Sequence, residues 1–384
     1  MGESKMKRYF IISGLSLNDD NRGGAALSYG AFRFLQEKGY LCHGQELLYI
    51  EFVRNPLKVR SEVEDINIQG DVWKKRTVYL WGIHRRIYRK YGVIIPFLSY
   101  ARLIKQIDFV AAINGGDGFS DIYDTETFMF RLPETLFAIK TGIPVIQLPQ
   151  TIGPFTDKSN YELAIKILRY SKAIYVRDKK FSNELEKIGI PYEQTKDLSA
   201  YMRPEPWDID IIPGSVGINV SGLCYSNTFR TLSGQFKEYP NLINKLIEYF
   251  QDKGVVVYLI PHSYRYENPE DSNDDMEACQ MAYNKLKDKK NVVFVNQNLT
   301  APQVKYVISK MSFFIGTRMH ANFAAIYTGV PVFGLAYSYK FEGAFNANGL
   351  NADEQTAIIN NIQPVDIDGI IKKIDEFYNK VKDE

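Results

Sequence analysis

Met311-Ser312-Phe313-Phe314-Ile315 leads into Gly316-Thr317-Arg318-Met319-His320, and Ala321-Asn322-Phe323-Ala324-Ala325-Ile326-Tyr327 follows. The first run has the apolar continuity of a buried strand, and the last has the composition of a buried helix. Between them a permanent cation and a titratable imidazole, separated only by Met319, stand on a strand-to-helix turn. In an open α/β sheet such turns lie at the carboxyl edge of the strands, where ligands bind. The helix behind the turn directs its unpaired N–H groups and positive dipole end to the same place. The stretch therefore predicts a parallel α/β sheet with an anion site at residues 316–320.

The same alternation extends outward over most of the chain. Strands are predicted at Tyr9–Ser13, Phe109–Ile113, Pro144–Leu148 and Ala173–Val176, then at Val216–Val220, Val255–Ile260, Val292–Val295, Phe313–Ile315 and Val330–Leu335. Helices are predicted between them, at Ala25–Lys38, Thr127–Lys140, Tyr161–Tyr170, Lys179–Ile188, Leu242–Lys253, Asp274–Lys287, Ala301–Ser309 and Ile367–Val381. Strands alternating with helices imply parallel sheets covered on both faces. The alternation breaks at residues 199–215, where prolines and a glycine read as a linker. The simplest architecture is two facing Rossmann-like α/β domains, 1–205 and 206–384, with the active site in the cleft between them. The last helix either closes the second domain or crosses back to the first.

Length and composition agree with this. The chain has 384 residues, 45% of them hydrophobic and 24% charged, with a formal net charge of +2. That balance gives no global attraction to nucleic acid or membrane. The 26 tyrosines are numerous; tyrosine suits glycan contact, although compositional drift explains the number equally well. Cys42, Cys224 and Cys279 are too far apart for a CxxC site, and their odd number argues against a disulfide framework. No apolar run reaches membrane-spanning length, so the expected compartment is the cytoplasm. Residues 72–92 combine Lys74, Lys75, Arg76, Arg85, Arg86, Arg89 and Lys90 with Trp73, Tyr79, Trp81, Tyr88 and Tyr91 and contain no acid. A solvated helix face is the favoured reading; the functional alternative is peripheral contact with an anionic membrane surface or lipid-linked acceptor at the inner membrane face.

Several strand ends carry residues with chemistry. Asn21-Arg22-Gly23-Gly24 follows the first strand but is neither GxGxxG nor a Walker A sequence, so it does not support nucleotide binding. Asn114-Gly115-Gly116-Asp117 with Asp121 offers a nest of N–H groups and two carboxylates, which could contact a sugar, act as a base or cap a helix. Pro149-Gln150-Thr151-Ile152-Gly153-Pro154-Phe155 is a stiff turn. Tyr175-Val176-Arg177-Asp178 is either an anion site or an internal ion pair. Gly217-Ile218-Asn219-Val220-Ser221 and Pro261-His262 close strands of the second domain, and His262 could bind or protonate a substrate. No third ligand joins the two strand-end histidines, so no zinc site is predicted, and no GxSxG elbow is present.

Taken together, these blocks resemble the polysaccharide pyruvyl transferase family. The match is strongest at Gly316-Thr317-Arg318-Met319-His320-Ala321, with Gly329-Val330-Pro331-Val332 and Tyr337-Ser338-Tyr339-Lys340 behind it. Gly115-Gly116-Asp117 with Asp121, Ile152-Gly153-Pro154-Phe155, Val176-Arg177-Asp178, Gly217-Ile218-Asn219-Val220-Ser221 and Pro261-His262 support it in order across residues 10–345. Met319 stands where the family usually has leucine, Asp117 where a third glycine is common, and Asn21-Arg22-Gly23-Gly24 departs from the more usual Asn-x-Gly-Asp. The resemblance implies a GT-B-like fold, phosphoenolpyruvate as donor, and a glycan or lipid-linked oligosaccharide acceptor. It implies no cofactor and no metal.

In that scheme Arg318 binds the donor, and His320 is the general acid or protonates the leaving phosphate. Arg177, His262, Lys340, Thr317 and Asn219 are expected to bind substrate, as are Gly115, Gly116, Asp117 and Asp121, with either aspartate able to accept a sugar proton. Two rivals remain: a GT-B nucleotide-sugar glycosyltransferase and a non-catalytic glycan-binding protein.

Overall fold

A computed structural model describes residues 8–54, 61–83, 87, 103–179, 182–270, 272–338, 340–360 and 365–382. The chain divides into two compact units: Met1–Leu15 with Leu27–Tyr201, and Ser16–Ala26 with Met202–Glu384. The sequence reading placed residues 16–26 with the first domain; their packing groups them with the second unit.

The first unit contains β1 (Tyr9–Ser13), β2 (Glu46–Val53), β3 (Ser61–Ile68), β4 (Asp71–Trp81), β5 (Ile107–Ala112), β6 (Val145–Gln150), β7 (Ala173–Val176) and β8 (Glu193–Gln194). They form an eight-stranded sheet in the order β3-β4-β2-β1-β5-β6-β7-β8. Its helices are α1 (Arg22–Glu37, whose first turn belongs to the second unit), α2 (Thr125–Phe130), α3 (Pro133–Thr141), α4 (Lys158–Tyr170) and α5 (Ser182–Lys187). The single helix expected at Thr127–Lys140 is two. Pro133 opens α3, since proline is tolerated in a first helical turn and not in an interior, and Gly142 closes it with φ +73°.

Residues 71–81 correct the helical reading of the basic segment. They are a strand, parallel to β2 and antiparallel to β3. The neighbouring strands supply the missing acids: Lys75 meets Glu64 at 2.8 Å, Arg76 meets Glu46 at 3.0 Å, and Tyr79 donates to Glu62 at 2.7 Å. Trp73 packs edge-on against Phe10 under the sheet. Among the basic residues of 72–92, Arg85, Arg86, Arg89 and Lys90 lie outside the described residues.

The second unit is parallel throughout its described strands. It contains β9 (Val216–Asn219), β10 (Val257–Leu259), β11 (Val292–Phe294), β12 (Phe313–Gly316), β13 (Val332–Ala336) and β14 (Thr356–Ile358), in the order β11-β10-β9-β12-β13-β14. Side-chain alternation divides the core between the two faces of the sheet. Phe313 and Ile315 join Val216, Ile218 and Phe333 on one face, and Phe314 joins Ile260 and Val332 on the other. The helices are α6 (Gly222–Ser226), α7 (Tyr239–Asp252), α8 (Asp275–Lys285), α9 (Ala301–Ser309), α10 (Met319–Ile326), α11 (Lys340–Ala347), α12 (Ala352–Gln355) and α13 (Ile367–Lys382). α13 is strongly amphipathic. It inserts Ile370, Ile374, Phe377 and Tyr378 beside Phe250 and Phe313, so it completes the core of this unit.

Strand order reverses direction between β9 and β12: β10 and β11 extend one way, β13 and β14 the other. Such a switch point opens a crevice at the carboxyl ends of the two central strands. Gly316 pairs with Asn219 there. Among the described residues no helix is long and apolar enough to cross a membrane.

Candidate functional site

The turn after β12 is held by internal hydrogen bonds. The Arg318 backbone N–H donates to Asn219 Oδ1 at 2.8 Å, and Asn219 Nδ2 donates to the Ile260 carbonyl at 3.0 Å. The Thr317 and Tyr239 hydroxyls bond each other at 2.7 Å, and Tyr239 also accepts the Ser221 N–H. Asn322 donates to the carbonyls of Gly316 and Arg318. A Cβ on residue 316 would lie 2.3 Å from Asn322 Oδ1, so only glycine fits. Asn219 and Thr317 are fully buried. Expected as substrate ligands, they instead fix the backbone of the turn, because their polar groups are already engaged by protein.

The Arg318 side chain is 13% exposed and faces Asp275, which is 0% exposed. Nε and Nη2 reach Asp275 Oδ1 at 3.0 and 2.6 Å, and Nη2 also reaches the Asn273 carbonyl and Oδ1 at 3.0 and 2.8 Å. All these bonds leave from Nε and Nη2. Burial works against the Arg318 charge, yet the Asp275 carboxylate outweighs it and raises the guanidinium pKa. The residue is therefore a fixed cation.

His262, after β10, is 4% exposed, and its Nδ1 has no hydrogen-bond partner among the described residues. Burial, and then the electrostatic influence of His320, Arg318 and Arg22, hold its pKa well below the usual histidine value. The imidazole is neutral at pH 7 and sits within a cluster of cations.

Arg22, in the glycine-rich block after the first strand, lies beside that cluster. Its backbone N–H donates to the His262 carbonyl at 3.0 Å. Its guanidinium donates to the carbonyls of Leu299, Asp19, Asp20 and Tyr264 and to Asn298 Oδ1, and it lies 4.0 Å from the Tyr264 ring centroid. Gly23 backs the His320 imidazole so closely that a Cβ there would lie 2.7 Å from Nδ1. Phe323, one turn along α10, meets the same ring edge-on. Lys340 begins α11, just beyond the carboxyl end of β13.

The first unit gathers a second set. Asn114, Gly115 and Gly116 all have positive φ, and the loop wraps Arg131, which donates to the Asn114 carbonyl. A Cβ on Gly118 would overlap the Arg131 guanidinium, and one on Gly116 would lie 3.0 Å from Arg177 Nη1. Arg177 is not chiefly paired with Asp178, at 3.8 Å. It donates to Asp197 at 2.6 Å and to Thr151 at 3.0 Å. Asp117 accepts the Tyr123 hydroxyl at 2.9 Å. Asp121, expected to contact a sugar or act as base, is buried and accepts the N–H groups of Thr156 and Asp157 and the Asn160 amide. Burial raises its pKa, and these donors together overcome that and lower it. It is a structural carboxylate that fastens the approach to α4.

Sequence reasoning missed Asp275, Asn273 and Arg22 as parts of the site. Asp274 caps Met276 and Glu277. No local signal distinguishes its neighbour. Among the described residues no group of His, Cys, Asp and Glu side chains could hold a metal ion.

A family model described as polysaccharide pyruvyl transferase matches residues 21–339. No curated protein matches the sequence. Among solved structures, the chain is similar to UDP-GlcNAc 2-epimerase from Neisseria meningitidis bound to UDP-GlcNAc, with TM-score 0.53, 13% identity, and coverage of 97% of this chain and 93% of that one. It is also similar to a putative UDP-N-acetylglucosamine 2-epimerase from Listeria monocytogenes, with TM-score 0.54, 11% identity, and coverage of 97% and 88%. The UDP-GlcNAc 2-epimerase from Methanocaldococcus jannaschii gives 0.53, 8%, 96% and 92%. At such identities the likeness is one of fold, which is of the GT-B type.

Proposed function

We propose that this chain, which belongs to the polysaccharide pyruvyl transferase family, moves the pyruvyl group of phosphoenolpyruvate onto two hydroxyls of one sugar, forming a pyruvate ketal. One observation supports the reading: Arg318 and His320 stand where β12 meets the N-terminus of α10, at the switch point of the second unit, and His262 feels the charge of both and of Arg22. Phosphoenolpyruvate brings a phosphate and a carboxylate, and fixed cations with helix N–H groups are what such a donor needs. Arg318 holds one anion, with Lys340 as a further cation. His320 gives a proton to the methylene carbon, and C2 gains oxocarbenium character. A sugar hydroxyl forms a bond to C2, the C2–O bond to phosphate breaks, and the second hydroxyl closes the ring. Of the two hydroxyl protons, one replaces the proton taken from His320 and the other leaves with phosphate. The acceptor is a glycan or lipid-linked sugar, met in the cytoplasm.

Phosphate release from phosphoenolpyruvate in the presence of candidate sugars tests this. His320→Ala lowers turnover about 10²–10⁴-fold at an unchanged unfolding midpoint. Arg318→Lys, which keeps a charge opposite Asp275 but loses the fork, raises KM for phosphoenolpyruvate. Full activity in both variants overturns the assignment. Thermal stabilisation by UDP and not by phosphoenolpyruvate would instead make the protein a nucleotide-sugar transferase.

A further inference from the structure

The structure assigns to Asp275 the task of positioning Arg318 for anion binding, a role that rests on the reading of Arg318 as the donor-binding cation. Asp275 is the first residue of α8 and is completely buried. Oδ1 accepts from the Gly222 N–H at 2.8 Å and from Arg318 Nε and Nη2. Oδ2 accepts from Asn219 Nδ2 at 3.2 Å and from the N–H groups of His262 and Ser263 at 3.1 and 3.0 Å. One carboxylate thus ties together the loops after β9, β10 and β12, the strand ends that flank the switch point.

The base of this arrangement is rigid. Asp274 caps α8 and also accepts the Arg265 N–H at 2.8 Å. Gly222 approaches the Asp274 backbone so closely that a Cβ would lie 2.3 Å from it. Burying an ion pair gains little stability over a well-packed apolar pair, and only complete hydrogen bonding offsets the desolvation. Asp275 is completely bonded; Arg318 is not. With Nε and Nη2 held by Asp275 and Asn273, Nη1 is the guanidinium nitrogen that has no partner among the described residues. A cation fixed along one edge and open at the other receives an anion without reorganising, which is the condition for strong electrostatic recognition. Asp275 and Asn273 are positioning residues and touch no substrate themselves.

The test uses Asp275→Asn and Asn273→Ala, each alone and combined with Arg318→Lys. Asn273→Ala removes a side-chain acceptor without leaving a buried charge unpaired, so it serves if Asp275→Asn does not fold. Two quantities are read: the Arg318 Nε–H resonance of the ligand-free protein, and the dissociation constants of phosphoenolpyruvate and inorganic phosphate by calorimetry. Asp275→Asn is expected to broaden or shift that resonance and to weaken both ligands about tenfold or more, with Asn273→Ala weakening them about two- to fivefold. In the Arg318→Lys background neither substitution should add more than about a twofold effect. Unchanged affinities with only a lower unfolding midpoint, or equal losses with and without Arg318, overturn the proposal. If inorganic phosphate binds and shows the coupling while phosphoenolpyruvate does not bind, the positioning role stands and the donor assignment falls. A protein that binds neither anion overturns both.

Discussion

His262 is a neutral imidazole buried among cations, and that imposes a pH dependence on folding. Its folded pKa lies well below the ordinary histidine value of about 6.5, first through burial and then through His320, Arg318 and Arg22. As pH falls, the unfolded chain takes up the proton before the folded one does. The contribution of His262 to stability is therefore complete above about pH 6.5 and is lost below it, by up to about 1.4 kcal/mol per pH unit for one proton. Urea unfolding at pH 7.5 and pH 5.5 checks this: the stability lost between them should be smaller in His262→Gln than in the wild type. Equal losses would mean that the imidazole is already charged in the folded protein. Asp121 runs the other way in sign. Its lowered pKa stabilises the fold above its unfolded value, and that is lost only in acid well below neutrality.

At the scale of elements, the contact between the Asn21–Gly24 turn and α10 makes a sharper prediction than either element alone. Gly23→Ala must displace the His320 ring, because its Cβ would lie 2.7 Å from Nδ1. The expected result is a fall in kcat of about tenfold or more with a small change in unfolding midpoint; an unchanged kcat would show that the ring position does not matter. The sequence made α10 and β12 plain because a fully buried strand and helix have continuous apolar composition. It hid β3 and β4, where charges lie opposite charges across a hairpin, so that neither strand shows apolar alternation until its partner is known. The same limit hid the organisation of the site. Arg318 and His320 announce themselves by residue type at a strand end. That Asn219 and Thr317 brace the turn, that Asp121 fastens a loop, and that Asp275 holds Arg318 are long-range facts with no local signature.

For the whole molecule, two α/β units were legible from strand and helix alternation together with the break near residue 200, whereas the GT-B type was what the family resemblance implied. The membership of Ser16–Ala26 in the second unit was not legible, because those residues follow the first strand in sequence. Arg22 is the fastening of that excursion, joined to Leu299, Tyr264, Asn298 and its own turn. Arg22→Ala should lower the stability of the second unit by about 2–4 kcal/mol, since several buried carbonyls lose their donor. Scanning calorimetry should register this as a fall of several degrees in an unfolding transition, and Arg22→Lys should recover only part of it, because one ammonium cannot replace the fork. A wild-type thermogram in Arg22→Ala would mean that the turn is not fastened by this residue.

That excursion also bears on how relatives of this chain could exchange parts. A single crossover near residue 201 does not swap intact halves, because it leaves Ser16–Ala26 of one parent beside the His262 loop and α10 of the other. Chimaeras that exchange the two units should carry residues 16–26 with the C-terminal parent. Natural recombination that ignores this boundary would yield proteins whose two sheets fold while the wall behind His320 is mismatched.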